Sequence, residues 1–408
     1  LFLPVMDYFL AEMPQFRDNA KKLFGLPGIY MPAGTTPGNA VPNQIVPVIM
    51  NWVGCAGWIA QHFYSYYQYS GDEELLKEKI LPFMKEAADF YEAYLVKGED
   101  GIYKIYPSVS PENTPKSLMP GEEWEHMAHP CPSAVNATMD IAIIKELLTN
   151  LCEAAERTGL YQDKTEAWQE IIEHLPAYEA TEEGDVREWQ WPGLTQRYNH
   201  RHLSHIYPMF PGREIVKGVA PKALTDTFEK AVDKRLLGAQ TGCSLAHMAC
   251  INARFERPEK ALECLDILCR ACLTKSFFTL HNDWRDMGLT LYRDNGSFAP
   301  IQMDASMGIV GAIQEMLLFA QPECVKLLPA LPARWKKGRV RLRYMQGEAE
   351  ISWDRSNGAL EVIFRPDRPA KIQVILPEEW VEGLALEDGT PFVNGSVLQL
   401  DQPVVLKR

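Results

Sequence analysis

Three observations predict a mainly α fold. Apolar residues recur at helical spacing through most of the first 320 positions. One helix–turn–helix spacing occurs twice. After Gln321-Pro322 the pattern changes to two-residue alternation. The expected architecture is a toroid or solenoid of helical hairpins over residues 1–322, followed by a small all-β, sandwich-like domain over 323–408. A length of 408 residues suits this division, being too long for one ordinary core.

The helices follow in order. From Asp72 to Lys97 one face carries Leu76, Ile80, Met84, Ala87, Tyr91 and Leu95, with Gly98 placed as a C-cap. From Asn136 to Arg157 the stripe is Ile141, Ile144, Leu148, Leu151 and Ala155, and Gly159 follows the end. Ala305 to Phe319 continues the theme. The repeat runs from Gly57-Trp58-Ile59-Ala60 through Tyr69 to Glu73 and Leu76. It returns as Cys243-Ser244-Leu245-Ala246, Phe255, Glu259 and Leu262 at constant offset. Each second helix opens with acidic residues, which the helix dipole favours. A six-hairpin toroid needs twelve helices and about nine are visible, so the shortfall is expected at the N-terminal side. Strands are expected at Val340–Tyr344, Glu348–Trp353, Leu360–Phe364 and Ile372–Leu376. Long loops rich in Pro, Gly and aromatics remain at 98–132, 178–217 and 274–304, and loops of that length in a compact domain are usually functional.

The balance of 54 acidic against 41 basic residues gives a formal net charge of -13, with no Lys/Arg run longer than two. A nucleic-acid partner is therefore not expected, and a neutral or cationic ligand suits the chain better. The nine cysteines include one CxxC, Cys269 to Cys272, inside an apolar helical run. They read as small buried hydrophobes rather than a disulfide framework. No apolar run reaches the ~18 residues that would span a bilayer. GxGxxG, P-loop and GxSxG signatures are absent, which removes nucleotide-dependent and serine-hydrolase readings, and no cofactor is expected.

Three loop motifs carry candidate chemistry. Glu112, in Pro107-Ser108-Val109-Ser110-Pro111-Glu112-Asn113, reads as a general acid that burial would tune and Asn113 would orient; the alternative is a capping or solvated glutamate. Asp304 follows Phe298-Ala299-Pro300-Ile301-Gln302-Met303 at the start of an apolar helix. It reads as a general base or as an N-terminal capping aspartate. His200, Arg201, His202 and His205 form H-R-H-x-x-H. Only His202 and His205 have the spacing of helical zinc ligands, and the HExxH glutamate is missing, so no metal is expected and hydrogen bonding to a polyol is the preferred reading. Trp58, Trp124, Trp189, Trp191 and Trp284 are candidates to stack on sugar rings, against the ordinary role of Trp in cores.

These motifs resemble glycoside hydrolase family 95. Ser108-Val109-Ser110-Pro111-Glu112-Asn113 matches its S-x-S-P-E-N stretch, and Thr138-Met139-Asp140 heads the helix that follows there. His200-Arg201-His202-Leu203-Ser204-His205-Ile206-Tyr207 with Pro211-Gly212 resembles its H-R-H-x-S-H-L-Y…P-G loop. Gln302-Met303-Asp304 resembles its Q-I-D-G-N-F-G turn, and Leu327 to Pro332 with Trp335 and Gly338 resembles its entry into a β domain. The order holds over residues 50–350. The resemblance implies an (α/α)6 barrel and inverting, exo-acting hydrolysis of α-L-fucosides or α-L-galactosides in glycans. It implies Glu112 as general acid and Asp304 as general base, with Asn113, His200, His202, His205, Trp58 and Gln302 at the sugar.

The sequence departs from the family in three places. The family's water-orienting asparagine pair and its N-terminal β-sandwich lie upstream of this chain, which is expected to be the C-terminal portion of a longer enzyme, partnered by the N-terminal region of the same polypeptide. Asp304-Ala305-Ser306-Met307-Gly308 replaces D-G-N-F-G. Gly28 to Thr36 stands where fucosidase members carry G-W-x-x-H-H-N-T-D. Two further readings compete: a glycoside phosphorylase on a similar toroid, and a degenerate carbohydrate-binding relative. Resemblance to exported relatives implies a secreted or periplasmic location.

Overall fold

The computed structural model describes residues 2–42, 46–121, 131–236, 240–285, 287–288 and 299–408. It divides into two compact units. The first comprises Leu1–Tyr67, Asp72–Ile215 and Ala220–Leu236; the second comprises Gln68–Gly71, Val216–Val219 and Leu237–Arg408. The chain is mainly α with a β-rich C-terminal part. The helices Gly242–Arg254, Pro258–Ala271 and Met303–Leu317 group with the strands, so the compact division does not fall where the sequence pattern changes.

The first unit is built from α1 (Leu3–Ala11), α2 (Met13–Asn19), α3 (Pro47–Met50), α4 (Cys55–Ser70), α5 (Glu73–Leu75), α6 (Leu81–Tyr94), α7 (Thr138–Thr158), α8 (Thr165–Glu173) and α9 (Lys222–Asp233). The stripe expected after Asp72 is buried at every position, from Leu76 to Leu95. The helix nonetheless changes character twice. Asp72 caps it by accepting from Leu75 N at 2.9 Å, a π-helical turn spans Leu76–Ile80, and α6 stops at Tyr94. Gly98 is not a C-cap: its N–H donates to Ile102 O, closing the hairpin of β1 (Val96–Lys97) and β2 (Tyr103–Lys104). The backbone after Tyr94 is drawn into this pairing, which outweighs continued helix.

Helix α7 matches its expected end. Gly159 takes a left-handed φ of 77° and donates to Ala155 O at 2.9 Å. Its first half is buried nearly all round, from Thr138 to Ile144, so it is a central helix rather than a one-faced one. Small residues let α4 approach it: a Cβ on Gly57 would lie 2.5 Å from Ile143 Cγ2 and 3.1 Å from the Tyr91 hydroxyl. Phe16, Phe63, Phe83, Phe90, Tyr91, Leu148 and Trp168 complete the core.

The second unit holds α10 (Gly242–Arg254), α11 (Pro258–Ala271), α12 (Met303–Leu317) and strands β3 (Leu318–Gln321), β4 (Cys324–Leu327), β5 (Lys337–Tyr344), β6 (Gly347–Asp354), β7 (Ala359–Pro366), β8 (Ala370–Ile375), β9 (Ala385–Leu386), β10 (Val397–Leu400) and β11 (Val404–Lys407). The repeated spacing in the sequence is realised: α10, a short turn and α11 form a helical pair. Thr241 and Ser244 cap α10 reciprocally. Gly308 of α12 packs against Ala246 of α10, where a Cβ would sit 2.7 Å from the Ala246 Cβ. Leu318 and Phe319 are not helical as expected. They begin β3, whose register with β4 pairs Leu318 with Leu327.

The four expected strands are β5 to β8. They enter two sheets, in orders β10-β8-β4-β3 and β5-β6-β7-β11-β9. Alternate residues of both sheets, among them Val325, Leu327, Ile351, Val362, Phe364, Ile372, Val374 and Leu400, meet in one core. The outer face of β5 and β6 is polar. Arg339, Arg341 and Arg365 converge on Glu350, with Arg341 directly opposite it in register.

One carboxyl group is enclosed in the helical core of the first unit. Asp140, on the first turn of α7, is fully buried. Its Oδ2 accepts from the Ser108 hydroxyl at 2.7 Å and from Val109 N at 3.2 Å, and the Ser108 oxygen in turn accepts from Ala137 N at 2.9 Å. Burial dominates, and it pushes the Asp140 pKa up to about 7 against the lowering effect of these donors. The sign follows from linkage. The folded chain keeps this proton up to about 7, whereas the unfolded chain releases it near 4, so the contribution of Asp140 to stability is fully present below ~4 and is lost as pH rises through the window to about 7.

Two predictions follow from these packing facts. Asp140→Asn removes the titration while keeping an acceptor, so its unfolding free energy relative to wild type should improve by roughly 2 kcal/mol between pH 5 and pH 8 in denaturant titrations. Identical pH dependence of the two proteins would contradict the burial account. Gly28 has φ 76°, and a Cβ there would run into Glu86 O and Phe90 N. Gly28→Ala is expected to cost about 2 kcal/mol or more, read as a lowered midpoint of thermal unfolding.

Candidate active site

Three extended segments of the first unit lie side by side and create a loop with little freedom. Ser108 and Ala134 exchange backbone hydrogen bonds at 3.0 and 2.7 Å. Thr138 N donates to Glu188 O and Gln190 N to Asn136 O, joining the start of α7 to residues 187–190. Asn136, with φ 52°, uses its side-chain oxygen to accept from Ile105 N at 2.8 Å. The segment 108–113 is thus held through its backbone at Ser108, and turns back on itself where Asn113 N donates to Ser110 O at 2.6 Å.

Those side chains alternate in their duties. Ser108 is tied to Asp140. Ser110 donates to Glu188 Oε1 at 2.7 Å, and Asn113 Nδ2 donates to Glu188 Oε2 at 2.9 Å and to Arg197 O at 3.1 Å. Asn113 Oδ1 accepts from Thr114 N. Asn113 is therefore buried with its amide turned to the interior; it supports the loop and does not hydrogen-bond Glu112 as the sequence reading expected. Glu112 faces the other way. Its side chain is 25% exposed, ion-paired through Oε2 with Arg201, and 3.6 Å from His202 Nε2.

Glu188 is fully buried and its counter-charge is the buried Arg235, at 3.3 Å. Arg235 follows the end of α9, beside Lys234, which binds Asp185 at 2.6 Å. Two successive cations at one helix C-terminus thus compensate two buried carboxylates. Asp185 also accepts from Thr181 and from the Tyr198 hydroxyl at 2.8 Å, and these donors with Lys234 hold its pKa low despite burial.

The histidine loop closes over the acidic loop. Ser204 donates to Pro111 O, and Arg201 and His202 reach Glu112. The three imidazoles serve different partners. His205 is buried, 3.8 Å from Glu188 and 3.4 Å from Arg235. His200 is buried, accepts from His202 N through Nδ1 at 3.1 Å, and has a buried Nε2 with no hydrogen-bond partner among the described residues. Burial lowers the pKa of all three: His205 to about 4, His200 well below its usual value, and His202 against the raising effect of Glu112. They are neutral near pH 7, so each ring carries one donor and one acceptor nitrogen rather than the two donors of a cation.

The structure thus brings together Glu112, Asn113, His200, His202 and His205. Trp58 belongs to the same unit but to another cluster. It is half-buried, 5.6 Å from the Trp52 ring and 6.2 Å from His62, and its indole N–H is buried without a partner among the described residues. Trp189 is fully buried against Ala134 and Ala137, a core residue rather than a stacking platform. Trp191 and Trp284 are exposed and carry Lys104 and Arg285 over their rings. Trp124 and Phe298 lie outside the described residues.

Gln302 and Asp304 belong to the second unit. Gln302 Oε1 accepts from Cys243 N at 2.6 Å, and its backbone pairs with Thr279, so this side chain anchors the start of α12 to the start of α10. Asp304, in the first turn of α12, is exposed, and its Oδ1 accepts from Ala305 N at 3.1 Å. It has the position of a helix-start aspartate and the accessibility of a reactive one.

Asp140, Glu188 and Arg235 were not singled out from sequence as site residues. The available signal was a glutamate inside the aromatic run Glu188-Trp189-Gln190-Trp191, where a charge is rarely buried unless paired. Arg235, 47 residues away, had no such signal.

Known proteins resemble this chain in sequence and in fold. The chain is 28% identical over 366 residues to Alpha-L-fucosidase 2 of Arabidopsis thaliana, covering 87% of this chain and 41% of that protein. It is 26% identical over 379 residues to the protein named "Probable alpha-fucosidase A" of Aspergillus niger, covering 85% of this chain and 44% of that one. The chain therefore spans less than half the length of these relatives. Among solved structures, a human-microbiome protein assigned as a kojibiose phosphorylase superposes with TM-score 0.66 at 10% identity, covering 99% of this chain and 53% of that one. The alpha-L-rhamnosidase from Dictyoglumus thermophilum superposes with TM-score 0.52 at 14% identity, covering 98% and 43%. These two show a shared fold. The model of the glycosyl hydrolase family 95 catalytic domain matches residues 1–317, and the chain belongs to that family.

Proposed function

We propose that this chain is the catalytic portion of an exo-acting, inverting glycosidase that removes terminal α-L-fucosyl or related α-L-galactosyl residues from glycans. The observation that carries the reading is the disposition of Glu112. Its carboxylate turns away from the interior within the segment 108–113, whose neighbouring side chains, Ser108, Ser110 and Asn113, are all bound to buried carboxyl groups. Such a group is held where it can deliver a proton to a leaving oxygen, and the fixed position is what general-acid catalysis requires. The names of the curated relatives supply the sugar class.

In this reading Glu112 protonates the glycosidic oxygen, and Asp304 takes a proton from the attacking water. Inversion needs the two carboxyls far enough apart to admit that water, roughly 6.5–9.5 Å. His202 and Arg201 lie beside the acid, where the leaving group would pass, while the buried His200 holds the His202 N–H from beneath. Trp58 supplies an aromatic face. The succession of paired helices in each unit supports an (α/α)6 barrel as the architecture, with the strands from Cys324 onward as its appended β domain.

The reading is tested in the full-length protein by proton NMR of the sugar released from α-L-fucosides and α-L-galactosides. Inversion of the anomeric centre is expected, and retention would overturn the assignment of Asp304. Glu112→Gln should lower kcat on natural linkages by ~10²–10⁴-fold, and Asp304→Asn by a comparable factor. Full activity in both variants would end the proposal.

A further inference from the structure

We propose that Glu188 is a positioning residue that aims the Glu112 carboxyl. This deepens, and rests on, the reading of Glu112 as the general acid. Glu188 never reaches the open side of the loop: its side chain is 2% exposed. Its two oxygens instead divide the loop between them. Oε1 binds the Ser110 hydroxyl, two residues before Glu112, and Oε2 binds the Asn113 amide, one residue after it. A single rigid carboxylate thus fixes both flanks of the Pro111-Glu112 peptide.

The same group reaches the second loop. Arg235 bonds Glu188 at 3.3 Å, lies 3.4 Å from His205 Nδ1, and donates to Arg197 O at 2.9 Å, the carbonyl that Asn113 also uses. His205 itself stands 3.8 Å from Glu188. Its neighbour Ser204 holds Pro111 O. Glu188 therefore sets the place of the acidic loop and, through Arg235 and His205, the place of the loop that presents Arg201 and His202 to Glu112. A carboxylate satisfies this geometry because it accepts on both oxygens. An amide presents a donor to either Ser110 or to Asn113 and Arg235, all of which already act as donors there.

Loss of aim has a signature that loss of fold does not. Leaving groups that depart without a proton do not need Glu112; poor leaving groups do. The experiment compares wild type, Glu112→Gln, Glu188→Gln and Ser110→Ala in the full-length protein. The substrates are 2,4-dinitrophenyl α-L-fucoside and an α-L-fucosyl disaccharide. For Glu188→Gln we expect kcat on the disaccharide to fall ~10–100-fold, with KM changed no more than about 3-fold and the dinitrophenyl rate near wild type. Ser110→Ala, which removes only one hydroxyl, should show the same selectivity in weaker form. Equal losses on both substrates, or no loss on either, would overturn the inference while leaving the function standing if Glu112→Gln is selective. A Glu112→Gln variant that is not selective would instead overturn the reading of the acid. Amide hydrogen exchange separates the two without any substrate. In Glu188→Gln and Ser110→Ala, the amides of Val109, Ser110 and Glu112 to Thr114 should exchange about 10-fold faster while those of α7 do not change. Unchanged protection of the loop would refute the role of Glu188.

Discussion

Removing a carboxylate from water costs several kcal/mol unless donors and a counter-charge replace the solvent, and the first unit of this chain is arranged around three such groups. Asp140, Asp185 and Glu188 are each enclosed, and each draws a different segment toward itself. Asp140 takes Ser108 and Val109; Glu188 takes Ser110, Asn113 and Arg235; Asp185 takes Thr181, Tyr198 and Lys234. Long loops without regular structure would otherwise leave many backbone and side-chain groups unsettled. Here the need to satisfy buried carboxyl groups adds to the few backbone pairings, at Ser108 and Ala134 and at Asn136 to Gln190, as the ordering force.

The arrangement explains how a polar, half-buried carboxyl can be held still. Glu112 is ion-paired with Arg201 and lies beside His202, and the residues that flank it are anchored in the interior. Rigidity is inherited from beneath, through hydroxyl and amide groups whose partners lie in the protein interior. The histidine loop is governed in the same way. His205 faces the buried pair, His202 faces Glu112, and His200 keeps one ring nitrogen unpartnered among the described residues. Burial keeps the three neutral, so they place no further positive charge beside Glu112 and Arg201.

The helices supply the platform. Glycine and alanine at the α4/α7 and α10/α12 contacts, Gly57 and Gly308 with Ala246, allow helices to approach closely and so fix where their N-terminal ends emerge. The candidate site residues lie at or near those ends: Asp140 on the first turn of α7, Gln302 and Asp304 at the start of α12, and Gln302 bound across to the first turn of α10. Function on loops and rigidity in helices is a common division in enzymes, and here the glycines connect the two.

The sequence by itself determined the helical periodicity, the strands β5 to β8, the Gly159 cap, the repeated helical pair and the loops that carry Glu112, the histidines and Asp304. Each of these is local: a period of 3.6 or 2, or a short motif, is written within a dozen residues. The end of α6 was not legible, because the β1/β2 hairpin competes for the backbone that helix periodicity claimed. Leu318 and Phe319 look helical locally but are taken by pairing with β4. Trp189 could not be told from a stacking residue until its enclosure by Ala134 and Ala137 was seen. The pairing of Glu188 with Arg235 was beyond reach for the same reason. A buried ion pair joins residues with no spacing rule between them, and only the tertiary structure decides which charge lies under which loop.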